Sequence, residues 1–199
     1  MNCAMYLRIA WVLSAVSVLW GLGGCNGGGD YRIVRTEVVR NTEAAKRANR
    51  EGLEHLAEGR LTEAAEAFER ARKADVEYGP AYNNLGKVYF KQRKWHEAAQ
   101  EFDNAKRLLP YHPGPPNNLG LVFQQAGWFD EAVKQHRQAF NLAPEDVEYA
   151  GNLAMALIRR GDETDEVREL LAQLTEQTTS REWLLWARKQ QTRLDLDPE

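Results

Sequence analysis

Cysteine is scarce in this chain of 199 residues. The two cysteines are Cys3 and Cys25, so none follows residue 25. A domain formed by the later residues therefore has neither a disulfide bond nor a thiol nucleophile. Its stability has to come from packing alone.

A strong excess of charge of either sign is also missing. The chain has 26 lysines and arginines against 29 aspartates and glutamates, which gives a formal net charge of −3. No basic surplus is present to attract nucleic acid or anionic lipid. We therefore expect no nucleic-acid partner.

The sequence contains no recognisable catalytic or metal-binding pattern. His96-Glu97-Ala98-Ala99-Gln100 is close to the zinc motif HExxH, but Gln100 stands where the second histidine ligand is required. No serine lies in a G-x-S-x-G turn. The sequence predicts a protein that is not an enzyme and that has no metal site and no cofactor.

Long hydrophobic stretches are absent except near the N-terminus, where an uncharged run from Ile9 to Gly24 follows Arg8. This run is shorter than the roughly 20 apolar residues that span a bilayer. A run of this length after a basic residue is typical of a secretory signal peptide, which we assign to 1–24. The alternative is an uncleaved anchor.

The run ends in Leu22-Gly23-Gly24-Cys25, which resembles the lipobox of bacterial lipoproteins. This resemblance implies cleavage before Cys25 and attachment of a diacylglyceryl group to its sulfur. A signal peptide with an incidental cysteine is the alternative. Residues 25–41, which include the glycines after Asn26, are predicted to be a lipidated N-terminus and flexible tether.

Lipidation implies a location in the cell envelope, with the membrane as one partner. Asn26 follows the cysteine in place of the aspartate that is associated with inner-membrane retention in some diderm bacteria. We therefore expect the periplasmic face of the outer membrane.

The rest of the chain has an internal period of 34 residues. Asn83-Asn84-Leu85-Gly86 recurs as Asn117-Asn118-Leu119-Gly120, a spacing of 34 (117 − 83), and Gly151-Asn152-Leu153-Ala154 follows after another 34 (151 − 117). A fixed period of this length is typical of stacked helical repeats.

The repeated segments resemble the tetratricopeptide repeat (TPR), with tyrosine in place of the leading tryptophan. The matching positions in the second unit are Tyr82, Leu85, Gly86, Tyr89, Ala98, Phe102, Ala105 and Pro110. This resemblance implies an all-α fold in which helical hairpins stack as a short right-handed solenoid. We predict a domain at 42–194 that comprises repeats 45–78, 79–112 and 113–146, a degenerate repeat 147–178 and a capping helix 179–194, before a tail at 195–199.

One residue departs from the repeat in a way that affects the core. His136 takes the position that Phe68 and Phe102 hold in the earlier units. We expect a neutral, half-buried histidine with a structural role, and a functional histidine is the alternative. Thr179 and Glu182 are expected to form a capping box for the last helix.

The asparagines at the period are the candidate functional residues. In TPR proteins the first helix of each pair lines a concave groove, and the residue before the Leu-Gly pair faces into it. That residue is Asn84, Asn118 or Asn152 in this chain. Superhelical TPR arrays carry a similar asparagine ladder, whose amides bond to the backbone of an extended peptide, so we predict a peptide-binding groove here.

Asn83 and Asn117, one position earlier, are predicted to line the same wall. The alternative is that these asparagines satisfy local backbone groups near the helix start. A third possibility, the TPR clamp for a C-terminal carboxylate, is not expected, because its lysine and arginine positions hold Asn49, Leu53, Gly114 and Asn118, and only Asn84 agrees.

Together these features predict a non-catalytic, lipid-anchored scaffold that binds an extended segment of an envelope protein, in an assembly or adaptor role. The alternative is an accessory subunit that contacts a cell-envelope enzyme through its surface.

Overall fold

The structure is a computed structural model that describes residues 40–196. The predicted signal peptide, Cys25 and the tether up to residue 39 lie outside the described residues. Within residues 40–196 every regular element is an α-helix, as the period of 34 predicts. None of these helices is long and apolar enough to cross a membrane.

Eight helices form four hairpins, and a ninth helix follows them in the described part of the chain. The first helices of the hairpins are α1 (Thr42–Ala57), α3 (Gly79–Lys91), α5 (Gly114–Ala126) and α7 (Val147–Arg160). The second helices are α2 (Leu61–Ala74), α4 (Trp95–Leu108), α6 (Phe129–Leu142) and α8 (Asp165–Gln177), and the last helix is α9 (Arg181–Leu196). Each helix packs against the next along the chain, so the hairpins stack as a helical solenoid.

The first helices form one layer of the solenoid and the second helices form another, and the helices of the two layers are spaced differently. The first helices of adjacent hairpins lie in direct contact, α1 with α3, α3 with α5 and α5 with α7, whereas the second helices of adjacent hairpins lie further apart. The first helices therefore form the inner, concave layer and the second helices form the outer layer. The outer layer is bridged by long side chains, such as the Arg72 Nη1 bond to Glu101 Oε1 of 3.4 Å.

Each first helix approaches its partner closely at a glycine. A Cβ atom added at Gly52, Gly86 or Gly120 would lie 2.5 to 2.7 Å from Phe68, Phe102 or His136, respectively. All three pairs are separated by 16 residues (68 − 52, 102 − 86, 136 − 120). The positions that the repeat aligns in the sequence therefore make equivalent contacts in the first three hairpins. A larger side chain at these sites would force the hairpin open.

The turns within the hairpins share one backbone feature. Gly59, Arg93, Gly127 and Gly161 are spaced at 34 residues and have φ angles of +75°, +60°, +76° and +103°. A residue in the left-handed region ends an α-helix and redirects the chain. Arg93 adopts this conformation without being glycine, which is unfavourable for an L-residue.

The fourth hairpin is complete, although its sequence matches the repeat poorly. Glu166 and Gln173 stand where the repeat has small residues, and both make contacts with the preceding hairpin. Glu166 accepts two hydrogen bonds from Arg137, and Gln173 Nε2 donates to the carbonyl of Pro144 at 2.7 Å. The two helices of the fourth hairpin still pack on each other through buried Val167, Leu171 and Leu174, and the polar contacts join this hairpin to the preceding one.

The predicted capping helix is α9, which begins at Arg181 and not at residue 179. The Oγ of Ser180 accepts a hydrogen bond from the Trp183 backbone N–H at 3.4 Å, so Ser180 caps this helix in place of the predicted Thr179. The indole of Trp183 lies over Gly151, and Ala187 and Leu194 are buried. The helix thereby covers the open face of the last hairpin.

Candidate functional site

Six asparagines form three hydrogen-bonded pairs along the inner layer, which together we call the asparagine ladder. They occupy two adjacent positions of the repeat. The first position holds Asn49, Asn83 and Asn117, and the second holds Asn84, Asn118 and Asn152.

The ladder asparagines bond to one another between neighbouring hairpins. Asn84 Nδ2 donates to Asn49 Oδ1 at 2.9 Å, and Asn118 Nδ2 donates to Asn83 Oδ1 at 2.9 Å. Asn152 Nδ2 donates to Asn117 Oδ1 at 3.0 Å. Each bond joins residues 35 apart, so the ladder runs diagonally from one first helix to the next.

These bonds use only part of each amide. The side-chain N–H groups of the first-position residues and the Oδ1 atoms of the second-position residues make no hydrogen bond within the described residues. None of these unbonded atoms is fully buried, although Asn49, Asn84, Asn117 and Asn152 are only 3% to 8% exposed. These donors and acceptors therefore keep some solvent contact, although most of each amide is enclosed between the first helices.

His136 joins the ladder from the second helix of its hairpin. Its Nδ1 lies 2.9 Å from Asn117 Oδ1, the same oxygen that accepts from Asn152. Because that oxygen is an acceptor, Nδ1 carries the proton, and Nε2 is left without a partner among the described residues. His136 thus fixes the orientation of the Asn117 amide.

The imidazole of His136 is fully buried and not half-buried as the sequence suggested. The physical reason is Gly120, whose missing side chain lets the ring pack directly on the facing helix. Burial lowers the pKa of His136 from its ordinary value of 6.5 to about 4. The ring is therefore neutral at neutral pH, as expected for a structural histidine.

Two further rows of side chains lie on the same face of the first helices, three and seven residues after the second ladder position. Residues three, four and seven positions apart lie on the same side of an α-helix. One row, one turn beyond the ladder, holds Leu53, Lys87, Leu121 and Met155. The next holds Ala57, Lys91, Gln125 and Arg159. Leu53 is 43% exposed, and both lysines are exposed, so these rows continue the surface of the groove.

A second concavity lies between α2 and the turn that joins α3 to α4. It is an open depression of about 560 Å³ whose lining includes both acidic and basic side chains. The lining residues are Thr62, Ala65, Glu66, Glu69, Arg70, Lys73, Tyr89, Gln92 and Lys94. Within residues 40–196 no group of three or more histidine, cysteine, aspartate or glutamate side chains is placed to hold a metal ion.

The structure brings together all five asparagines that the sequence singled out. Their partners are asparagines of the neighbouring hairpin, not the local backbone groups that the alternative interpretation required. Their role in binding a peptide stays a prediction. Asn49 and His136 were not identified as ladder residues, although Asn49 precedes Asn83 by one period of 34 (83 − 49).

The fold and the ladder define a helical-repeat protein with a polar inner groove. A sequence profile of the tetratricopeptide repeat matches residues 49–113 and 117–181, which is more than half of the chain. This chain belongs to the tetratricopeptide repeat family. None of the curated protein sequences matches it.

Solved structures show the same fold at low sequence identity. YrrB, a TPR protein with an unusual peptide-binding site, is 22% identical with a TM-score of 0.62, and the match covers 79% of this chain and 90% of YrrB. The first TPR of Spaghetti (RPAP3), bound to the HSP90 peptide SRMEEVD, is 18% identical with a TM-score of 0.60, covering 62% of this chain and 98% of that one. MamA is 17% identical with a TM-score of 0.57, covering 75% and 81%.

Proposed function

We propose that this chain is a non-catalytic scaffold whose concave groove binds an extended segment of a partner protein. The observation that carries the proposal is the asparagine ladder, with its unbonded N–H groups and Oδ1 atoms in the concave surface. A peptide backbone in an extended conformation alternates donors and acceptors along its length. A fixed row of amides supplies both partners for such a backbone, independently of the peptide's side chains.

The bonds within the ladder favour binding because they hold the amides in place before a ligand arrives. Free side chains lose about 0.5–1.5 kcal/mol of rotamer entropy each when a ligand immobilises them. Asn84, Asn118 and Asn152 are already held by one N–H to the neighbouring hairpin. Most of that entropy is lost on folding, so binding does not incur it again.

Two structural relatives support the class of ligand. The first TPR of Spaghetti was solved with a peptide bound, and YrrB has a peptide-binding site. Their similarity to this chain lies in the fold, and the ladder provides the residue-level argument for a peptide here.

The double variant Asn84→Ala with Asn118→Ala tests the proposal. Binding to an array of extended synthetic peptides is measured at a temperature where the variant is fully folded. We expect about a tenfold or greater loss of affinity, at on the order of 1 kcal/mol for each lost amide contact.

The matched control is Val167→Ala, which loses stability in the buried core of α8 and leaves the ladder intact. The control should bind as the wild-type chain does. Equal binding by the double variant and the wild-type chain would contradict the proposal.

The proposed site of action is the cell envelope, where acylated Cys25 would anchor the scaffold at the periplasmic face of the outer membrane. The support is the lipobox resemblance of Leu22-Gly23-Gly24-Cys25. Acyl chains contribute about 0.8 kcal/mol per buried CH₂, so two or more give lasting attachment. In the Cys25→Ser variant we expect no labelling by a fatty-acid analogue, and unchanged labelling would refute the anchor.

A further inference from the structure

The charge of the groove differs from the charge of the whole chain. The chain carries a formal net charge of −3. The second ladder position begins with Arg50, because residues 50, 84, 118 and 152 share one register. Lys87, Lys91 and Arg159 occupy the two rows beyond the ladder, and these three rows contain no carboxylate.

These four cations are exposed and free of ion pairs within the described residues: Arg50, Lys87, Lys91 and Arg159. Several other arginines are neutralised locally instead. Arg72 pairs with Glu69, Arg137 with Glu166, and Arg160 with Asp162. The positive charge of the groove is therefore available to a ligand.

Carboxylates near the groove do not cancel this charge. The row on the other side of the ladder holds Lys46, Pro80, Gly114 and Glu148, and Lys46 pairs with Glu43 at 2.9 Å. Glu51 of α1 lies 2.7 Å from Arg70 of α2, so it is directed toward the outer layer. The exposed carboxylates on this side of the first helices are Glu148, at the last hairpin, and Glu54, four residues after Arg50 on α1, so the four cations outnumber them.

Apolar side chains interleave with the cations. Leu53, Leu121 and Met155 share the row of Lys87, and Leu53 is 43% exposed. A ligand lying along the groove would meet amides in the ladder and an alternation of aliphatic and cationic groups beside it. Opposite charge across an interface steers association and selects the partner.

We propose that the groove selects an acidic extended segment in which aspartate or glutamate alternates with aliphatic side chains. This inference rests on the proposed function, because it names the side-chain chemistry of the segment whose backbone the ladder would hold. The carboxylates would pair with Arg50, Lys87, Lys91 and Arg159, while the aliphatic side chains pack on Leu53, Leu121 and Met155.

The experiment uses the full chain and an array of synthetic peptides of varied composition. One variant replaces the four groove cations with glutamine: Arg50→Gln, Lys87→Gln, Lys91→Gln and Arg159→Gln. The matched control makes the same change of net charge away from the groove, at one exposed residue of each second helix (α2, α4, α6 and α8): Lys73→Gln, Arg107→Gln, Lys134→Gln and Arg168→Gln. Glutamine is a good helix former, so both variants should fold.

We expect the peptides bound by the wild-type chain to be enriched in aspartate and glutamate. Their affinity should fall about tenfold or more in the groove variant, and also at high salt, and should stay nearly constant in the control. Bound peptides without acidic enrichment, or equal binding by both variants, would overturn the acidic preference and leave the peptide groove standing. An array that binds no peptide at all would overturn the proposed function together with this inference.

Discussion

Asn117 Oδ1 accepts hydrogen bonds from both Asn152 Nδ2, at 3.0 Å, and His136 Nδ1, at 2.9 Å. The first bond joins two hairpins, and the second joins the two helices of one hairpin. In the earlier hairpins a phenylalanine replaces the histidine, and Asn49 and Asn83 each accept a single ladder bond. Asn117 is therefore the most constrained amide of the ladder. In the third hairpin, a hydrogen bond joins the ladder to a buried side chain of the core, His136.

Loss of the Asn117 amide should cost more stability than loss of its counterpart one repeat earlier. Asn117→Ala leaves two donors, on Asn152 and on the fully buried His136, without their acceptor, at about 1–3 kcal/mol each. Asn83→Ala leaves only Asn118, which is half-buried and can turn to water. Chemical denaturation of both variants measures the difference, and equal losses of unfolding free energy would contradict the double role of Asn117.

The buried His136 should make stability depend on pH. The unfolded chain binds a proton at this histidine near pH 6.5, whereas the folded chain does so only near pH 4. Between these values the unfolded state holds more protons, so the free energy of unfolding should decrease as the pH falls from 6.5 toward 4. The full loss is about 3 kcal/mol at 1.36 kcal/mol per pH unit.

His136→Phe restores the residue that the first two hairpins have at this position and removes the titrating group. Denaturation curves at several pH values should show a smaller decrease in stability over this window for His136→Phe than for the wild-type chain. Parallel decreases for the two proteins would show that other groups cause the acid sensitivity.

The turn of the second hairpin should be a site of stabilisation. Arg93 has a φ angle of +60°, while the three equivalent residues in the other hairpins are glycines. Arg93→Gly removes a left-handed penalty of about 1–2 kcal/mol and loses the contact of the guanidinium with the Trp95 ring at 5.9 Å, worth about 0.5–1 kcal/mol. We expect a net gain of about 1 kcal/mol, read as a higher melting temperature.

The complementary variant is Gly127→Ala, at the same position of the third hairpin. A Cβ atom there would meet no neighbour within 4 Å, so strain in the backbone is the only expected cost. This variant should be destabilised by about 1 kcal/mol. A lower melting temperature for Arg93→Gly would mean that the contact with Trp95 outweighs the strain.

The sequence predicted the fold well because the repeat encodes it locally. The pair of Gly86 and Phe102 has counterparts one period away, Gly52 with Phe68 and Gly120 with His136, so the first three hairpins share the same close contact. The fourth hairpin is harder to predict, because Glu166 and Gln173 interact with the third hairpin instead of packing as small residues. Those contacts depend on the stacking of hairpins, which a single unit does not specify.

The sequence predicted where the ladder asparagines lie, but it did not predict the hydrogen bonds between them. The period places Asn84 and Asn118 on the inner layer. The bond from Asn118 to Asn83 crosses between helices at a separation of 35, which follows from the stagger of neighbouring hairpins and not from the period of 34. The burial of His136 was likewise underestimated, since it depends on the space that Gly120 leaves across the hairpin.

The central claim, that a partner lies in the concave groove, is tested most directly by site-specific photo-crosslinking in cells. A photoreactive residue is placed at Leu121, in the row beside the ladder, or at Gln138, which is exposed on α6 of the outer layer. Both sites belong to the same hairpin, so they differ mainly in whether they lie on the concave or the outer face of the solenoid. We predict a crosslinked partner protein from Leu121 and none from Gln138, and this crosslink should be lost in the Asn84→Ala, Asn118→Ala background. A partner crosslinked from Gln138 but not from Leu121 would contradict the account.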